Sequence, residues 1–208
     1  MRLAEQQSLE IPGKRALSKR ANRDAILEAA KLVFAELSYG SATVRDIIRR
    51  TGLASGTFYN YFKSKEEVFE ALMDANAQSI RPSLRKVRQE ATNFESLVEN
   101  SFQAYFEFIA KNRAGYAVVR RNAGTVRMRL ETPEIVAGFD ELKEDLDTAI
   151  VAGLIPAVDT AFLTAAMAGV AFEVGDTMLQ KDPLDAGKAA RFAAQLFLGG
   201  IRSLPLAD

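Results

Sequence analysis

Ser55-Gly-Thr-Phe-Tyr-Asn-Tyr61, followed closely by Lys63 and Lys65, gathers hydroxyls, an amide and cations into one short stretch. None of these groups is a strong nucleophile or base at neutral pH. They do well at hydrogen bonding to phosphates and base edges. The chain has no cysteine and no histidine, which removes disulfides, thiol nucleophiles, Cys/His zinc sites and histidine acid–base chemistry. Glu141 and Asp145 form an acidic pair, but their i, i+4 spacing beside Lys143 reads as a solvated helix face. No Gly-rich phosphate loop or metal cluster accompanies them. The chemistry on offer is recognition, so no enzyme, cofactor or metal is expected.

Two short helices must hold this stretch. Thr43 is an N-cap with Asp46 three residues on, the spacing of a capping box. Val44, Ile47 and Ile48 face inward, leaving Arg45, Arg49 and Arg50 outside. Thr51-Gly52 makes the turn, Leu53 inserts into a small core, and a second helix runs from about Ala54 to Phe62. Phe58 and Phe62, four apart, pack inward and turn Ser55, Gly56, Thr57, Tyr59, Asn60 and Tyr61 toward the other faces. This is a helix-turn-helix, whose second helix enters a DNA major groove. Gly56 costs a helix ~1 kcal/mol against Ala, and its use is close backbone approach to a neighbouring surface. The Tyr59 and Tyr61 hydroxyls favour phosphate or base-edge contact over packing. Ser64 and Glu67 then match a capping box, which sets free amides beside Lys63 and Lys65 in a phosphate-binding arrangement.

Residues 1–18 show no hydrophobic period and read as a flexible arm. Its Lys14 and Arg15, with Lys19 and Arg20, reach phosphates or a minor groove, or form a solvated tail. From about Ser18 a helix carries Ile26, Leu27, Ala30, Val33, Phe34 and Leu37, with Tyr39-Gly40 as a left-handed stop. Residues 1–63 hold 11 Lys+Arg against 6 Asp+Glu, and the remainder 16 against 21. A basic head on an acidic body suits presentation of one end to a polyanion. There is no signal-peptide pattern, and the apolar run at 165–172 is too short to span a bilayer, so a cytoplasmic protein without membrane contact is expected.

Beyond Thr92 every pattern is helical. Thr92 to Glu95 reads as a capping box opening an aromatic helix. Thr132-Pro133 starts another helix, and Asp182-Pro183 the last. Two final helices, about 159–180 and from 182, are apolar on more than one face and need an outside cover. A second copy supplies it in a four-helix bundle, with Phe162, Ala166, Gly169, Val170, Phe192, Leu196, Phe197 and Ile201 as the interface. The expected fold is all-α. A three-helix DNA-binding head at 19–65 precedes a six-helix effector-binding and dimerisation domain at 66–208.

Residues 23–70 resemble the DNA-binding region of the tetracycline-repressor (TetR) family of bacterial transcription regulators. The resemblance rests on Ile26-Leu-Glu-Ala-Ala30, Phe34, Tyr39-Gly40, Thr43-Val-Arg-Asp-Ile47, Thr51-Gly-Leu53, Gly56-Thr-Phe-Tyr59, Tyr61-Phe62 and Ser64-Lys-Glu-Glu67. It implies a homodimeric, ligand-responsive regulator, a repressor by default, on a palindromic double-stranded operator. The alternatives are an all-α enzyme or a helical adaptor without DNA binding. It places Thr43 and Lys63 on phosphates, Thr57, Tyr59 and Asn60 on bases or backbone, and Tyr61 and Lys65 on backbone. Ile48 departs from the small residue usual at its position. The resemblance also implies a pocket for a small apolar or amphipathic effector. Phe102, Tyr105, Phe106, Tyr116 and Phe139 fit an apolar cavity or an ordinary core. Arg120, with Arg121, Arg127 and Arg129, could meet an anionic head group or stay solvated. Glu173 fits the pocket or a dimer edge.

Overall fold

The computed structural model describes residues 14–122, 124 and 132–201, and among them every regular element is a helix. In chain order these are α1 (Lys14–Ser41), α2 (Val44–Thr51), α3 (Ser55–Tyr59), α4 (Lys65–Gln89), α5 (Phe94–Lys111), α6 (Arg113–Arg121), α7 (Pro133–Val151), α8 (Thr160–Leu179) and α9 (Ala186–Gly200). Residues 1–13 of the expected arm, and Arg127 and Arg129 of the basic cluster, lie outside the described residues. Residues 14–18 of that arm already belong to α1.

Several helix ends differ from the sequence expectation. The left-handed residue near the end of α1 is Ser38 (φ 65°, ψ 162°), not Gly40. Such a conformation costs a non-glycine residue about 1–3 kcal/mol and persists only where its surroundings hold it. The cap of α5 is Asn93 with Ser96, one residue beyond the expected Thr92. Asp182-Pro183 is a cis peptide ahead of α9, whose N-cap is Asp185. α4, by contrast, runs through Pro82 as its pattern leads one to expect.

Two apolar cores result. The head core joins Ile26, Val33 and Phe34 of α1, Ile47 of α2 and Phe58 of α3 to Val68, Phe69 and Met73 of α4 and Val118 of α6. Ile48 is accommodated at its edge. The body core is built from α5, α7, α8 and α9 around Phe102, Phe106, Leu146, Met167 and Ala193. Gly175 lets α8 approach α5 there. A Cβ at that position would stand 2.7 Å from Ile109 Cδ1 and 3.3 Å from Phe106 Cε1. By length and composition alone α8 is apolar enough to cross a membrane, which the shorter 165–172 run did not suggest. Here its Leu163, Met167 and Met178 pack into the body core.

Glu141 and Asp145 are not the solvated pair that their spacing suggested. Arg81 donates to Glu134 and to Glu141 (2.5 Å), Arg85 to Glu141, and Arg88 to Asp145 (2.5 Å) and Glu141 (3.2 Å). These bonds strap the C-terminal half of α4 to α7. Burial alone would raise the Glu141 carboxyl. The hydrogen bonds and charges of Arg81 and Arg85 outweigh it and hold the group down at about 2. A depressed carboxylate stabilises the fold fully above its ordinary pKa and loses that contribution as pH falls toward the folded value. Glu141→Gln should therefore cost about 2 kcal/mol at neutral pH. It should also flatten the fall in urea midpoint that the parent shows between pH 4.5 and about 2, which unfolding titrations across that window would measure.

Candidate DNA-binding surface

The reading element is fixed by its caps. Asp46 N–H donates to Thr43 Oγ1 (3.2 Å), and Thr43 N–H donates back to Asp46 Oδ2 (3.0 Å). The Thr43 hydroxyl also donates to the same carboxylate (2.6 Å), and this bond leads in holding the Asp46 carboxyl below its usual range. At the other end of α2, Gly52 (φ 66°) makes the left-handed turn that only glycine adopts readily. Its successor α3 is short, five residues rather than the nine expected, and Phe58 and Phe62 anchor it inward at 1% and 4% exposure.

On the opposite face Ser55, Gly56, Tyr59 and Asn60 are exposed, with Tyr59 at 58%, and Thr57 is half-buried. Tyr59 is braced edge-on against Phe58, ring centroids 5.3 Å apart. A Cβ built on Gly56 meets nothing within 4 Å. No intramolecular packing therefore asks for a glycine there. Arg45, Arg49 and Lys63 are exposed around this face, as is Thr43. Arg50 is instead occupied by a two-pronged ion pair with Glu36.

Three expected contacts are altered by the geometry. Lys65 turns away from this face. Its Nζ donates to the carbonyls of Tyr39 (2.9 Å) and Ala42 (3.0 Å) and sits 4.6 Å above the Tyr39 ring, capping the negative end of α1. Glu67 accepts from the Lys63 amide (2.6 Å), so the phosphate-binding pair of lysines reduces to Lys63. Tyr61 is half-buried, and its hydroxyl accepts from Asn22 (3.4 Å) while keeping its own hydrogen to donate. Thr43 must exchange Asp46 for any phosphate.

Away from the head, Phe102, Phe106 and Tyr116 are buried at 3%, 0% and 3%, and they stack with one another's neighbours rather than line open space. Phe102 lies 5.9 Å from Phe106 and 5.8 Å from Phe197. Tyr105 packs edge-on to Phe106, and burial pushes its hydroxyl pKa up. Tyr116 donates to the Phe172 carbonyl (3.2 Å), and burial first, then Asp176, moves its pKa up to about 12. Phe139 is 44% exposed and stands outside this group. Arg120 is exposed and paired with Asp176 at 2.6 Å, and Glu173 is exposed on α8. A cleft of about 450 Å³ opens elsewhere, between Arg23 of α1, Tyr61 and Phe62, Glu67, Glu70 and Asp74 of α4, and Thr132-Pro133. Its acidic lining does not suit DNA.

Residues 26–72 match the family model described as bacterial regulatory proteins, tetR family. The match marks a TetR-type DNA-binding head. The TetR fold extends over its length. The fatty acid degradation regulator FadR of Bacillus halodurans is 28% identical, the match covering 93% of this chain and 99% of that one at a TM-score of 0.72. FadR of Bacillus subtilis, solved with stearoyl-CoA, is 22% identical over 86% of this chain and 98% of that one, with a TM-score of 0.69. The ketosteroid regulator KstR2 of Mycobacterium tuberculosis is 23% identical over 86% and 94%, at 0.65. This head spends Lys65 on its own architecture. Lys65→Met should lower stability by about 2 kcal/mol through two lost charged hydrogen bonds, whereas Lys63→Met should leave it unchanged. Urea unfolding of the two variants side by side checks the difference.

Proposed function

We propose that this protein is a homodimeric TetR-type repressor that reads a palindromic operator and releases it on binding a long-chain acyl-CoA or a similarly amphipathic molecule. The observation that carries the DNA-binding part is the open, exposed face of α3 around Gly56, beside Tyr59 and Asn60. A helix backbone left bare there can approach a groove wall that a side chain would hold away. Arg45, Arg49 and Lys63 flank it and supply the salt-sensitive share of affinity.

An unpartnered apolar stripe on α8 and α9 supports the dimer. Phe162 is 77% exposed, Phe192 61% and Leu196 55%, and the exposed Ala166 lies one turn beyond Phe162 on the same side of α8. Gly169 and Val170 are half-buried at its margin. Phe197 and Ile201, expected at the interface, instead pack into the body core of their own chain. Two stripes facing across a dyad would set two α3 helices against successive major-groove faces, about 34–36 Å apart.

The effector class follows from the fatty-acid regulators that this chain resembles and from the aromatic core between α5, α6 and α8. An acyl chain would part Phe102, Phe106 and Tyr116, with Arg120 near the entrance for an anionic head group. Moving the operator-binding population from 99:1 to 1:99 takes ~5.5 kcal/mol of differential affinity. A buried long acyl chain is large enough to supply it.

Selection of bound duplexes from genomic DNA should return a palindrome, and stearoyl-CoA should release the protein from it in an anisotropy assay. Retention at saturating stearoyl-CoA would remove the acyl-CoA assignment. Gly56→Ala should raise the stability of the head by up to ~1 kcal/mol yet weaken operator binding by tenfold or more. Unchanged affinity would mean that α3 does not make the close approach. Leu196→Asp should give monomers in sedimentation, and a persistent dimer would place the interface elsewhere.

A further inference from the structure

We propose that Asn122, assisted by Arg121, is the positioning residue through which the body of the protein sets the angle of its head; this rests on the DNA-reading function above. The break in α1 at Ser38 interrupts the hydrogen bonds that span it. Beyond the break the Tyr39 N–H needs an acceptor, and before it the Glu36 carbonyl needs a donor. Both come from the end of α6. Tyr39 N–H donates to Asn122 Oδ1 (2.5 Å), and Arg121 donates to the Glu36 carbonyl (3.4 Å). Asn122 Nδ2 also donates to the carbonyls of Phe34 (3.2 Å) and Val118 (2.7 Å). The residue is 4% exposed, and its amide offers two donors and an acceptor at once in that space.

The other attachments of α6 lead to the helix that carries the exposed stripe. Tyr116 donates to the Phe172 carbonyl (3.2 Å), and Arg120 pairs with Asp176 (2.6 Å). Val118 and Val119, on the same short helix, belong to the head core. A nine-residue rod is therefore tied to α8 through Tyr116 and Arg120, and packed against α1 on both sides of a break. The turn beyond that break feeds through the buried Ala42 into Thr43 and α2. A shift of α8 that carries α6 with it reaches the last turn of α1 through this amide. The strained Ser38 keeps the last turn of α1 dependent on it rather than on its own helix.

The test uses the full chain and two substitutions of similar size, Asn122→Asp, which loses the donors, and Asn122→Leu, which loses both roles. Amide hydrogen exchange at Tyr39 should quicken at least tenfold in both, with exchange in α5 unchanged. The distance between spin labels at Glu28→Cys and Glu144→Cys, in a chain otherwise free of cysteine and diluted with unlabelled protein, should broaden. Affinity for the selected operator should fall tenfold or more while the circular dichroism spectrum is retained. Folded variants with parental exchange, distances and affinity overturn the proposal. If neither variant folds, Arg120→Gln decides it: freeing α6 from α8 should broaden the same distance, and an unchanged distribution overturns the coupling. A parent that binds no duplex at all would defeat the regulator reading. The exchange and distance measurements would still judge the role of Asn122.

Discussion

One long helix and two short ones leave the head's core open on one side, and the architecture of this protein follows from that shortage. The two helices of the reading motif contribute little more than Ile47, Phe58 and the nearby Phe62 to the buried interior of the head. α1 adds Ile26, Ala29, Ala30, Val33 and Phe34, and the rest is borrowed: Val68, Phe69 and Met73 from the first turns of α4, and Val118 from α6, which are also part of the body. A reading head stabilised by residues of its own reporting helices cannot move independently of them. Its burial and its responsiveness are consequences of one packing arrangement, because small domains must find apolar area wherever they can.

Charge is distributed by the same logic. The excess of acid over base in the body is not a diffuse surface property. Glu134, Glu141 and Asp145 of α7 take up Arg81, Arg85 and Arg88 of α4. Arg88 is almost wholly buried by this, and a buried guanidinium is tolerated only with such partners. Cations that a sequence tally would offer to DNA are thereby consumed internally. So are Arg50, held by Glu36, and Lys65, held by α1. The exposed cations left around α2 and α3 are few, chiefly Arg45, Arg49 and Lys63.

Much of this was legible in the sequence wherever the determining interactions are local. The Thr43–Asp46 box, the Gly52 turn and the inward pair Phe58 and Phe62 are set by spacing within a few residues. What was not legible depends on partners distant in the chain. Lys65 looks like any exposed lysine until a carbonyl 26 residues upstream is placed beside it. Phe197 and Ile201 share helical periodicity with Phe192 and Leu196, and periodicity does not say which apolar face meets its own core. Phe139 has the type and spacing of a core residue but falls on the outer side of α7. Ser38 adopts a glycine-like conformation two residues before a glycine, because α6 arrives there and holds it. Asn122 carried no signal of its own: one amide ending a short helix is the commonest of caps.

Pro82 gives α4 an uneven stiffness. Proline has no N–H to offer the carbonyl four residues earlier, so the Gln78 carbonyl must find its bond in solvent on the exposed side. That weak rung lies between the half of α4 embedded in the head and the half lashed to α7 by three arginines. Force applied at the lashed end concentrates its bending there, so α4 behaves as two stiff members joined by a compliant one. A thermal fluctuation too small to disturb either core could still swing the reading helix.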